Sequence, residues 1–176
     1  MIIMALAALA GGFYLGTPAP TEADAAPVPA AFSISWGTVT PTVTPANKRT
    51  IEVVDQLKPS KWRVSQAAEW LDRYTASNMK TVSRCSGHAW KCVYIRGGKL
   101  GGNVLALTRG NVITVDYGKV DRHGYRSNLS REKILAHELG HTFGIVKHTN
   151  HTVMAAAMGG TRLSLNGTQR AFLRKR

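Results

Sequence analysis

Two histidines four residues apart, with a glutamate directly after the first, open the run HELGHTFGIVKH from His137 to His148. In a helix of about 3.6 residues per turn, positions i and i+4 lie one above the other on a single face. His137 and His141 then present two imidazoles side by side, within reach of one zinc ion. Glu138 stands next to the first ring, placed to act on water at the metal rather than to bind the metal. The spacing works only on a helix, so it commits this stretch to helix.

Gly144 follows His141 by three positions. Glycine turns a chain at positive φ without steric cost, so a helix that stops there can swing back and deliver a third ligand. His148 lies just beyond the turn, and Met154 comes six residues later. Together these residues resemble the metzincin signature, H-E-x-x-H-x-x-G-x-x-H with a later methionine turn, and within it the matrixin-like minimal members, secreted or phage-type. The likeness covers roughly residues 130–154. Lys147 holds the place of the family's third histidine, and His148 comes one residue late. A protonated lysine amine has no lone pair to give. The third ligand is therefore His148, through a one-residue bulge, or His151 in HTNHTVM; His148 is preferred because it lies nearer the helix end.

The resemblance implies an α+β fold: a small twisted mixed sheet, an active-site helix, a Met-turn and a C-terminal helix. It implies a zinc endopeptidase in which one catalytic zinc is held by His137, His141 and His148. Glu138 is then the general base, taking a proton from the attacking water and passing it to the leaving amine. Met154 is the apolar floor beneath the histidines, with Met158 as the alternative, and either is equally accounted for by core packing. Some metzincins place a tyrosine two residues after this methionine; Ala156 stands there, so no tyrosine ligand is implied. The competing reading is a catalytically degenerate module on the same fold that binds a polyanion or a cell wall.

Charge bears on that second reading. All 23 Lys and Arg lie at Lys48 or later, and only Glu22 and Asp24 of the ten acidic residues precede it. Such a surface attracts polyanions and is also simply soluble. No run of five basic residues occurs, and no nucleic-acid motif is present, so specific nucleic-acid binding is not expected. The expected partner is a protein or peptide substrate met by a monomer. Dense calcium sites are not expected from so few carboxylates; Asp116 and Asp121 are the clustered candidates for a structural calcium. His88 and His123 read as ordinary surface or turn residues.

Residues 1–25 read as an export signal or an uncleaved anchor, with an apolar run from Ile2 to Leu15 and a small-residue site at Ala23-Asp24-Ala25. No Lys or Arg precedes that run, and a buried helix is the alternative. Residues 26–46 form a Pro/Ala/Thr-rich linker in which Trp36 is an isolated apolar spot. Residues 47–176 form the catalytic domain. A secreted or cell-surface location follows from this layout. In an exported chain, Cys85 and Cys92 read as one small disulfide loop. Metal binding with His88, or a cysteine capping the zinc, are the weaker alternatives.

Within the domain, Ile51–Val54 reads as a strand and 64–75 as a helix with apolar positions 64, 67, 68, 71 and 74, beside Trp62 and Trp70. Residues 93–95, 104–107 and 112–115 read as strands, the last two joined by a hairpin at Arg109-Gly110-Asn111. Either 104–107 or 112–115 is the edge that pairs with an extended peptide. Ser130 reads as the N-cap of the HExxH helix, with Glu132 near its positive end and Ile134, Leu135 and Leu139 facing the core. A last helix spans 168–174, after Leu163-Ser164.

Overall fold

The computed structural model describes residues 50–57, 62–87, 91–158 and 163–175. The export-signal, linker and Trp36 readings, and those on His88, lie outside the described residues. The elements run β1 (Thr50–Gln56), α1 (Val64–Asp72), β2 (Asn78–Val82), β3 (Cys92–Gly97), β4 (Ala106–Arg109), β5 (Val112–Val115), α2 (Tyr117–Arg122), α3 (Asn128–Thr142) and α4 (Gly167–Leu173). The fold is mixed α+β, with four helices and a five-stranded mixed sheet.

Strand order is β2-β1-β3-β5-β4. β1 pairs in parallel with β2 and β3, and β3 in parallel with β5. β4 alone runs antiparallel, against β5, and forms one edge. The expected hairpin turn at Gly110 is present, with that glycine at φ 57°. Residues 112–115 are thus paired on both sides and cannot take in a further strand; β4 is the open edge on this side. Val104 falls in the loop before β4, its N–H bonded to the Gly101 carbonyl, so the strand starts two residues later than expected.

Strand alternation puts one face of each strand against the helices. Ile51, Val53, Val93, Ile95, Ala106, Ile113 and Val115 are buried on that face. They meet Ala67, Ala68 and Leu71 of α1 and Ile134, Leu135 and Leu139 of α3 in one core. Trp62 and Trp70 are buried there as well, the first beneath the Arg131 guanidinium at 5.5 Å. Helix α1 stops at Asp72 instead of Thr75, because the Asp72 carboxylate turns to accept from the Met79 N–H (2.7 Å) and starts β2.

Helix α3 begins earlier than expected. Ser127, not Ser130, is its N-cap; its hydroxyl accepts from the Ser130 N–H at 3.1 Å. Glu132 therefore sits beyond the first turn, buried and paired with Arg63 at 3.4 Å rather than with the helix dipole. Cys85 and Cys92 are joined in a disulfide that ties the preceding loop to the start of β3.

The two calcium candidates are both engaged by the chain itself. Asp121 accepts from Arg131 at 2.7 Å. Asp116 caps α2 by accepting from the Lys119 N–H and also accepts from the Leu100 N–H. Burial pushes its carboxyl upward, but these donors and the Lys119 ammonium outweigh that and leave it below the ordinary range. The same ammonium donates to the carbonyls of Leu100, Gly101 and Val104. Four oxygen-bearing groups thus surround one side-chain cation and fix the loop between β3 and β4. Among the described residues, no helix is long and apolar enough to cross a membrane.

Candidate metal centre

Helix α3 carries His137 and His141 inward, both almost fully buried. It ends by a mechanism that the glycine supplies. Gly144 adopts φ 89°. Its N–H bonds the His141 carbonyl, and the Ile145 N–H reaches back to the Gly140 carbonyl. This pair of bonds is a Schellman motif, which satisfies carbonyls that the last turn would leave orphaned. The turn also aims the Ile145 carbonyl at His141, whose Nδ1 lies 2.6 Å away.

Beyond the turn the chain folds back under the helix. The Thr149 N–H bonds the Met154 carbonyl, and the Val153 N–H bonds the Ser164 carbonyl. Gln169 braces this loop by donating to the Thr149 hydroxyl, and is itself held in a capping box with Asn166 at the start of α4. The Val153 carbonyl accepts from His137 Nδ1 at 2.8 Å. Met154, next in sequence, is fully buried with its sulfur against Gly140. A Cβ built on Gly140 would lie 2.6 Å from that sulfur, so the close approach depends on glycine. Met158 is also buried, lining a small cavity with His137 and Glu138.

His148 completes the cluster. Its Nε2 is 3.2 Å from His137 Nε2, which is 2.9 Å from His141 Nε2. The ligand atoms of His137, His141 and His148 all lie within 4.8 Å of one another, and the group can bind a metal ion. His151 is not in the group; it is exposed, at φ 62°. Lys147 is exposed and lies outside the group.

The hydrogen bonds show why this trio suits a cation. A carbonyl can only accept, so the Nδ1 atoms of His137 and His141 carry their protons. In the neutral rings Nε2 then bears a lone pair, and these lone pairs face each other across 2.9 Å. Burial holds all three rings below their ordinary pKa, His148 down to about 4, with neighbouring histidine charge adding to the effect at His137 and His148. Facing lone pairs that bind a proton poorly are satisfied by a metal, and a carbonyl partner on the far nitrogen is the usual support of a ligating histidine. The second group of suitable atoms, Glu52 with Cys85 and Cys92, is not equivalent, because both sulfurs are spent in the disulfide.

Glu138 is buried on the neighbouring helix position. Burial raises its carboxyl to about 7, against the opposing effect of hydrogen bonds with Thr108. Thr108 Oγ1 lies 2.6 Å from Oε2, while Oε1 has no hydrogen-bond partner among the described residues. Thr108 and Gly140 both shape the centre without having stood out in the sequence. The available signal for Thr108 was a polar residue on the buried parity of a strand. No family model matches the chain, and no curated protein matches it.

Proposed function

We propose that the chain is a zinc-dependent endopeptidase, with His137, His141 and His148 as ligands and Glu138 as general base. The observation that carries this reading is the convergence of three imidazoles, two of them buried with their tautomers set by backbone carbonyls and the third half-buried, beside a buried carboxylate. Three neutral nitrogen donors suit zinc, and His137, His141 and His148 would hold it. When bound there, zinc supplies Lewis-acid polarisation of a carbonyl and acidifies water.

The chain's own groups do the rest. A carboxyl raised to about 7 accepts a proton near neutral pH and returns it to a leaving amine. Thr108 steadies Oε2, which leaves Oε1 as the accepting atom. Edge strand β4 offers backbone donors and acceptors to an extended peptide alongside α3. Buried Met154 under Gly140 supports the metzincin-like reading. The disulfide fits an exported protein.

The test is metal content and peptide cleavage on the purified full chain. The expected result is one zinc per chain and cleavage of denatured casein that a chelator abolishes and zinc restores. Zinc-loaded chain that cleaves neither casein nor a mixed peptide library overturns the proposal.

A further inference from the structure

The sheet has a second face, turned away from the helices and the histidines. Strand alternation places Arg96 of β3 and Arg109 of β4 on it, on either side of β5. Between them lie Val112 and Thr114 of β5, and Leu107 joins them from β4. The loop between β3 and β4 rises alongside as a wall and adds Lys99. Together they line a groove of about 940 Å³.

Three features mark this groove as built to bind. First, Arg96, Lys99 and Arg109 are exposed, and none makes an ion pair with a described residue. Second, no carboxylate is among the lining residues. Third, the wall is anchored. The Lys119 ammonium clamps its carbonyls from behind, and Gly98 lets it lie on β5, where a Cβ would come 2.7 Å from the Thr114 methyl. Holding three like charges in one concavity without counter-charge costs stability, and a bound anion offsets that cost.

We propose that this groove binds a linear phosphate polymer that carries no bases. Guanidinium forks match phosphate oxygens in pairs. Arg96 and Arg109 stand two strand spacings apart and two residues out of register, about 12 Å between backbones, a span that a ligand charged along its length covers. A polymer charged at every repeat meets all three cations in any register, whereas an acidic peptide must match their spacing. No aromatic side chain is among the lining residues; Tyr94 shares the sheet face, opposite Val112 and next to Arg96 along the strand, so base stacking is what the oligonucleotide arm of the test decides.

The experiment is calorimetric titration of the full chain with short linear polyphosphate. Poly-glutamate and a single-stranded oligonucleotide of matched charge serve as competitors. The variants are Arg96→Ala with Arg109→Ala, and a charge-matched control, Arg170→Ala on α4 with Arg174→Ala at its C-cap. The expected result is polyphosphate binding that the groove variant weakens by about tenfold or more, with the salt slope reduced by about one to two. The control should lose about twofold at most, since distant charge is screened. Zinc content should be unchanged in both, which keeps this result separate from the peptidase reading. Should the groove variant fail to fold, Arg109→Gln alone carries the same test. Equal losses in variant and control, tighter binding of poly-glutamate or oligonucleotide, or no polyphosphate binding each overturn the proposal.

Discussion

The Thr108 hydroxyl lies 2.6 Å from Glu138 Oε2 and 3.0 Å from the Glu138 backbone carbonyl. One side chain of the edge strand thus holds both the carboxylate and the helix turn that carries it. Its hydrogen bonds oppose the upward push of burial on Glu138. Thr108→Val removes the side-chain part of that opposition at nearly constant volume and leaves the backbone part. The acid limb of kcat/KM should then move to higher pH, and stability should fall by about 1 kcal/mol. Thr108→Ser should restore the limb. A pH–rate profile of the three chains decides the matter; an unmoved limb in the valine chain removes Thr108 from the mechanism.

Glu138→Gln keeps the shape of the side chain and loses its basicity. Turnover should fall by roughly 10²–10⁴, the usual contribution of a positioned base. Zinc content should stay at the wild-type level, because Glu138 is not among the clustered ligand atoms. Metal analysis beside casein cleavage reads both quantities on one sample.

The ligand assignment separates two histidines three residues apart. His148→Ala should weaken zinc binding by orders of magnitude, because it removes one of three donors. His151→Ala should bind zinc like the parent. Competition with a coloured chelator measures both affinities, and the reverse pattern would reassign the third ligand.

Gly140→Ala sets local and tertiary preferences against each other. Alanine is the better helix former by about 1 kcal/mol. Its methyl, however, would lie 2.6 Å from the sulfur of fully buried Met154. Overpacking of this kind costs about 1–3 kcal/mol. The expected outcome is a lower thermal midpoint and weaker zinc binding, since Met154 adjoins the carbonyl that orients His137. A higher midpoint would show that the methionine yields freely.

The metal-free chain should lose stability on acidification. The histidines titrate below 6.5 when folded, His148 near 4, so between these values the unfolded chain binds more histidine protons than the folded one. That contribution is present above about 6.5 and is lost as pH falls. Glu138 acts oppositely: raised from 4.5 to about 7, it makes the folded chain bind an extra proton across that range. Three histidines against one carboxyl leave a net loss toward acid. Thermal midpoints of chelator-treated chain at pH 7 and pH 5 test the sign.

Much of the centre was legible because its chemistry is local. His137, Glu138, His141 and Gly144 lie within one helix and its stop, where spacing alone relates side chains. The place of His148 depended on the path of the loop after Gly144, which hydrogen bonds to Met154 and Ser164 decide from far along the chain. The fold class was readable, but β2 was not: Asn78–Val82 is an edge strand with one buried residue, and it lacks an apolar pattern. Helix α2 is six residues long and too short to show a period; its cap, Asp116, was instead weighed as a cation ligand. Ser130 satisfies the rule for an N-cap, but its N–H is bonded to the Ser127 hydroxyl, which moves the helix start three residues earlier. Strand order lies beyond any local signal, so the open edge waited on the pairing of β4 with β5.

The ammonium of Lys119, ringed by the carbonyls of Leu100, Gly101 and Val104 and by Asp116, gives the loop between β3 and β4 a cation that is part of the covalent chain. Such a cross-link cannot be dialysed away. On the two proposals, chelation that empties the histidine centre should leave this loop, and the groove it walls, in working order, so the two faces of the sheet should answer to different solution conditions: one to free metal, the other to ionic strength.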